Sequence, residues 1–251
     1  MSASVGATRA VDDSDEELPP LLELRGVKAA YGRIEVLHGV DLVVPRGKVV
    51  AVLGPNGAGK TTTLLVATGQ HPALSGCVHV AGRHVNGVKA DALARLGMCT
   101  IPEGRGVFRN LTVRENLVMA SYRGISTADI TERAVARFPR LGERMDQVAG
   151  TLSGGEQQML AMARGLATDP ALLIIDELSM GLAPLIVAEL YEIVAGIAKD
   201  GVSILVVEQF ARTVLGVADH AVIMQHGRVI AAGTPADLEA ELSAAYLGAS
   251  T

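Results

Sequence analysis

From residue 21 onward the chain reads as short apolar runs broken by polar and glycine-rich turns. Residues 21–27 and 40–44 have the pattern of strands in a β layer. Residues 48–53 form a nearly continuous apolar run, which suits a strand buried on both faces of a parallel sheet. A glycine-rich loop follows, and residues 61–68 then read as a helix. Further strand candidates lie at 77–81 and 98–101. Helical spacing dominates 113–166. Strand character returns at 171–175, 203–207 and 220–224, with helical periods over 185–198 and 210–217 between them. This strand–helix–strand alternation predicts an α/β fold with a parallel sheet covered on both faces. Gln225-His226-Gly227-Arg228 marks a hairpin turn between two short strands.

The first 19 residues differ from the rest. Asp12, Asp13, Asp15, Glu16 and Glu17 crowd together ahead of Pro19-Pro20, and this stretch is expected to be a disordered acidic leader. Residues 20–248 are expected to form one domain, since 251 residues bury a sizeable core without disulfides or metal. The formal net charge of −5 argues against a dedicated nucleic-acid binder. Aromatic residues make up only 3% and there is no Trp, so a nucleic-acid reader built on stacked rings is excluded as well. Cys77 and Cys99 have neither disulfide nor zinc spacing and are expected to be buried thiols in a reducing cytosol. His79 and His84 lack the further ligands that a metal site needs. No secretory signal and no uncharged apolar stretch of membrane-spanning length is expected, although a mean hydropathy of +0.33 is compatible with docking onto a membrane partner.

The strongest chemical signal is Gly54-Pro55-Asn56-Gly57-Ala58-Gly59-Lys60-Thr61, a G-x-x-x-x-G-K-[ST] phosphate loop between a predicted strand and a predicted helix. Glycines let the backbone curl so that several N–H groups face one anion, and the helix N-terminus adds partial positive charge. Lys60 is expected to reach the β- and γ-phosphates of a nucleotide, and the Thr61 hydroxyl to hold Mg²⁺, with Thr62 also among the expected nucleotide-binding residues. The apolar run Leu172-Leu173-Ile174-Ile175 delivers Asp176 and Glu177 at the carboxyl end of a strand, where parallel sheets bind ligands. Asp176 is the expected Mg²⁺ ligand. Glu177 is the expected general base for an attacking water.

Leu152-Ser153-Gly154-Gly155-Glu156-Gln157 completes the pattern. Ser153 caps a helix, and Gly154 and Gly155 leave room for a close approach at its N-terminus. Together the three motifs closely resemble those of ABC transporter ATP-binding subunits, over roughly residues 21–248. The resemblance implies the P-loop ABC ATPase fold: a RecA-like core lobe at about 20–102 and 167–248, an antiparallel β layer, and a helical lobe at about 103–166. It implies that Ser153, Gly154 and Gly155 face the γ-phosphate of ATP held by a second subunit. It further implies that Tyr31 stacks on adenine, with a core tyrosine as the rival reading, and that Ser179 lies in the segment touching the opposing subunit.

Glu103 falls where most relatives carry glutamine, and Gln209 where most carry histidine. A carboxylate at 103 can help bind Mg²⁺ but loses the amide donors, whereas an amide at 209 can donate to a γ-phosphate but cannot titrate near neutral pH. These two departures, with Pro102-Glu103-Gly104-Arg105, Leu111-Thr112-Val113, Phe138-Pro139-Arg140-Leu141 and Ala245-Tyr246-Leu247-Gly248, resemble the branch that serves importers of branched-chain amino acids. The branch implies catalytic roles for Lys60, Glu177 and Gln209, with ATP and Mg²⁺ as ligands. It implies a second ABC ATP-binding subunit, two membrane permeases and a solute-binding protein as partners, with no nucleic acid. The location implied is cytoplasmic, peripheral on the inner face of the plasma membrane. Other small solutes such as urea or amides, or a soluble ABC ATPase outside transport, are the alternatives. Leu178 stands where proline is usual, which is expected to loosen the link from Glu177 to Ser179. Val107 and Phe108 are candidates for apolar contact with a permease, with core burial of Phe108 as the alternative.

Overall fold

A computed structural model describes residues 18–104, 106–121, 125–209 and 211–238. Residues 1–17 of the acidic leader, Arg105, Phe210 and the 245–248 motif lie outside the described residues.

Two sheets form the framework. The strands β1 (Leu22–Tyr31), β2 (Ile34–Val44), β4 (Ser75–Val80) and β5 (Arg83–His84) build an antiparallel layer in the order β2-β1-β4-β5. The second sheet holds β3 (Val49–Leu53), β6 (Met98–Ile101), β7 (Leu172–Asp176), β8 (Ser203–Glu208), β9 (His220–Gln225) and β10 (Arg228–Gly233), in the order β10-β9-β3-β8-β7-β6. Its strands pair in parallel except at β10, which returns antiparallel to β9 through the His226-Gly227 turn. The sheet is therefore mixed. The strand regions expected from the apolar runs are found, but β1 and β2 run on to a tight Gly32-Arg33 turn, making a longer hairpin than residues 21–27 and 40–44 suggested.

The inner strands read as unbroken apolar runs because apolar layers cover both faces. In β3, Val49, Ala51 and Leu53 face one core while Val50 and Val52 face the other. The same division separates Leu173 and Ile175 from Leu172 and Ile174 in β7, and Ile204 and Val206 from Leu205 and Val207 in β8. One core lies between the two sheets and takes in the apolar side of α1 (Lys60–Ala67) and Leu93 of α2 (Ala90–Arg95), a helix that the sequence pattern did not reveal. The other lies under a set of helices: α3 (Val113–Val118), α4 (Thr127–Arg137), α5 (Pro139–Gly142), α6 (Gly154–Leu166) and α7 (Pro184–Lys199). A short α8 (Ala211–Leu215) follows β8.

Helix boundaries follow local chemistry. Thr112 accepts a hydrogen bond from the Glu115 amide while the Glu115 carboxylate accepts from the Thr112 amide, a reciprocal cap at the start of α3. Ser153 and Glu156 repeat the device at α6. Pro184 opens α7, where its missing N–H costs nothing. Parallel pairing has one consequence for function. Leu53 pairs with Glu208 and Asp176 with Val207, so the carboxyl ends of β3, β7 and β8 lie side by side.

Candidate active site

Three strand ends thus deliver three pieces of chemistry to one edge: the 54–61 loop after β3, Asp176 and Glu177 at the end of β7, and Glu208 and Gln209 at the end of β8. The loop is held rigidly. Ala58 donates its amide to the Pro55 carbonyl at 3.1 Å, and Gly227 donates to the Ala58 carbonyl at 2.9 Å, stitching the loop to the β9–β10 turn. Gly54 has φ +157°, and a Cβ there would lie 2.3 Å from the Met224 carbonyl oxygen of β9. Gly54→Ala is therefore expected to displace the loop. Overpacking of this kind costs about 1–3 kcal/mol. The variant should melt below the native chain and bind nucleotide at least about tenfold more weakly, which follows for the upper half of that cost if it falls on the bound geometry. A melting curve and a nucleotide titration check both expectations.

Lys60 is buried at the first position of α1 and donates from Nζ to the carbonyls of Gly54 at 2.9 Å and Pro55 at 3.3 Å. Burial lowers its pKa, opposed by the negative charges of Glu177, Asp176 and Glu208. Thr61 and Asn56 are exposed, Thr62 is buried, and Thr63 Oγ1 donates back to the Gly59 carbonyl at 3.0 Å. The first-turn amides of α1 have no acceptor within the helix itself, which suits an anion.

Asp176 is 8% exposed, and its Oδ1 is buried with no protein donor. Burial raises its pKa to about 6, reinforced by the charges of Glu177 and Glu103 and opposed by Lys60. Glu177 has φ +51°, an unusual backbone for a non-glycine residue, and its amide donates to the Val207 carbonyl at 2.9 Å. Burial also raises the Glu177 pKa, as does the nearby Glu103 charge. A raised carboxylate pKa moves the group toward the range in which it can take a proton from water at neutral pH. Glu103 itself is exposed, and Gln209 is half-buried beside the Glu208 carboxylate.

Other expected residues are placed differently. Tyr31 is 48% exposed at the β1–β2 turn and stacks on His71, with ring centres 4.4 Å apart, so it is not a core tyrosine. Ser153 is exposed at the N-terminus of α6, and Gly154 is half-buried. Gly155 is buried, and a Cβ there would lie 2.4 Å from Ile186 Cγ2. Its bareness lets α6 approach α7. Leu178 is 1% exposed, and its side chain packs in the helical-side core. Cys77 and Cys99 are free and half-buried, not fully buried. His79 and His84 meet edge to face, and no group of three or more metal-ligating side chains occurs among the described residues.

Residues 37–179 match the family described as ABC transporter. The chain is 40% identical to the high-affinity branched-chain amino acid transport ATP-binding protein BraG of Pseudomonas aeruginosa, over 91% of this chain and 100% of that protein. It belongs to the ABC transporter family. This ABC ATPase is also 30% identical to the branched-chain amino acid transport ATP-binding protein BraF of the same organism, over 91% of this chain and 98% of that one. Its fold matches a crystal structure of an ABC transporter's ATP-binding cassette in the ADP conformation, with a TM-score of 0.82 and 25% identity over 91% of this chain and 99% of that one. The expected ABC ATPase architecture is thereby confirmed.

One group in this ABC ATPase escaped sequence reading. Glu208 ends an otherwise apolar strand and is fully buried. A carboxylate in that position needs donors, and that requirement was the available signal.

Proposed function

We propose that this ABC ATPase is the ATP-hydrolysing motor subunit of an importer for branched-chain amino acids. The observation that carries the cargo is the 40% identity to BraG along its whole length, since the cargo never touches an ATPase subunit. The motor chemistry is supported by the strand ends that gather Lys60, Asp176, Glu177 and Gln209 at one edge.

Lys60 and the loop amides bind the β- and γ-phosphates, which requires Lys60 to exchange its two carbonyl acceptors for phosphate oxygens. Tyr31 stacks on adenine. Thr61 and Asp176, with Glu103 nearby, hold Mg²⁺, and the buried Asp176 oxygen without a protein donor fits a cation. When bound, Mg²⁺ would neutralise the charge of the phosphates. Glu177 orients the attacking water and accepts its proton, and Gln209 donates to the γ-phosphate. Ser153, Gly154 and Gly155 at the capped start of α6 complete the site of a second subunit. One chain carries one phosphate loop and one such helix start, so the working unit holds two ATPase subunits. The presence of both BraG-like and BraF-like relatives in one organism supports a pair of different subunits. ATP closes the pair by bridging it, and hydrolysis removes the bridge and reopens it.

The remaining partners are two permeases, engaged at the inner face of the membrane, and a solute-binding protein. No helix among the described residues is long and apolar enough to cross a membrane. Phe108 supports a permease contact in the helical lobe. It is 44% exposed, the Arg164 guanidinium sits 4.5 Å from its ring centre, and the buried Asn116 amide bonds both the Phe108 amide and its carbonyl. The loop is thus rigid while its aromatic side chain is presented outward. Phe108→Ala is expected to cut solute uptake severalfold more than basal ATP hydrolysis, and equal losses would count against this contact.

The function is tested by purifying the tagged chain from its own cells in gentle detergent and identifying what accompanies it. Two permeases and a second ATP-binding subunit are expected, with ATP-dependent leucine uptake on reconstitution with the binding protein. Uptake of urea or amides instead would reassign the cargo. Recovery with soluble partners alone would reject transport.

A further inference from the structure

Glu208 lies outside the chemistry assigned above, yet it is among the most deeply buried polar residues described, at 1% exposure. A buried carboxylate is costly unless its oxygens are well supplied with donors. Here both oxygens are used twice. Oε1 accepts from the Ser179 amide at 2.8 Å and from the Tyr191 hydroxyl at 2.7 Å. Oε2 accepts from the Ser179 hydroxyl at 2.8 Å and from the Gln209 amide at 3.3 Å.

The arrangement matters because backbone pairing between β7 and β8 ends before Ser179. The last paired residues are Asp176 and Val207, followed by the Glu177 amide bond to the Val207 carbonyl. Past that point the backbone bonds are local turns, Met180 to Glu177 and Leu182 to Ser179. Both hydrogen bonds that Ser179 donates go to Glu208, one from the backbone and one from the side chain. The same carboxylate receives the Gln209 amide. Tyr191, in the middle of α7, holds it from behind and fixes its rotamer. The Glu208 carboxylate therefore bridges the 177–179 segment and the 208–209 segment.

We propose that Glu208 is a positioning residue that makes Ser179 and Gln209 move as one unit. A displacement of Gln209 on gain or loss of the γ-phosphate would reach Ser179 through this carboxylate, and with it the segment that meets the second subunit. The proposal rests on the motor reading above.

The test uses the transporter assembled from its own subunits, with Ser179→Ala, Glu208→Gln and the double variant in this chain. Glu208→Gln keeps the shape but places an NH₂ group against two donors, and the Ser179 hydroxyl can turn to accept whereas the Gln209 amide cannot. Steady-state kcat and KM for ATP are read well below each variant's melting midpoint, and nucleotide affinity is read on the isolated chain. Each single substitution is expected to lower kcat about tenfold, with KM and nucleotide affinity within about twofold of native. The double variant should be no slower than the worse single one, because both changes cut the same link. Multiplied effects would overturn the proposal, since Ser179 would then act by some route other than Glu208. So would an unchanged kcat with a lowered melting midpoint, which would leave Glu208 a purely structural strut. Absence of ATP hydrolysis in the native assembly would instead reject the motor reading.

Discussion

Glu177→Gln is expected to retain ATP binding while losing about 100-fold or more of the turnover, the range for removing a positioned general base. The amide is nearly isosteric and leaves the Glu177 backbone bond to the Val207 carbonyl untouched. What disappears is the ability to accept a proton from water. The raised proton affinity of Glu177, caused by burial and by Glu103, is the property that the substitution deletes. Because ATP then persists between the two subunits, the variant should accumulate as a closed assembly in the presence of ATP and Mg²⁺. Phosphate release and size-exclusion chromatography read the two effects separately. Hydrolysis near the native rate would remove Glu177 as the base.

Asp176→Asn is expected to move stability and activity in opposite directions. Burial pushes the pKa of Asp176 up from 3.8 to about 6, reinforced by the charges of Glu177 and Glu103. The folded state therefore binds this proton more tightly than the unfolded state. Stability falls as pH rises from about 4 to about 6, and the full penalty persists above that range. The separation corresponds to roughly 2–3 kcal/mol. Asparagine carries no such penalty, so the variant should melt above the native chain by several degrees at pH 8, with the gap shrinking toward pH 4. Turnover should collapse, because the buried oxygen that lacks a protein donor is the one a divalent cation would use. Melting curves at pH 5 and pH 8 without nucleotide, paired with an ATPase assay at pH 8, test both arms. A melting midpoint below native at pH 8 would reject the electrostatic account.

Much of the site was legible along the chain because its geometry is local. The 54–61 loop needs only its own glycines, the strand before it and the helix after it. The double acid at the end of β7 declares itself by interrupting an apolar run, and the caps at Thr112 and Ser153 are written within four residues. The buried strands were equally plain, because burial on both faces erases the polar alternation that half-exposed strands show. Less was visible where a residue's meaning depends on a distant neighbour. Gly155 belongs to a local motif, but that it must also stay bare to let Ile186, 31 residues further on, pack beside it could not be read from spacing. Leu178 looks like a lost proline until the core that receives it is seen.

Glu208 shows the division most clearly. Strand pattern could mark it as an acid ending an apolar run, and nothing nearer than Ser179 and Tyr191 could say why it is there. Motifs carry the phosphate, cation and base chemistry because hydrogen-bond reach within a loop or helix turn is fixed by spacing along the backbone. Which strand ends meet, which carboxylates share Lys60, and which side chain ties Ser179 to Gln209 follow only from the β3-β8-β7 order of the sheet. That order is a tertiary fact, set by how two apolar faces are buried together rather than by any local preference.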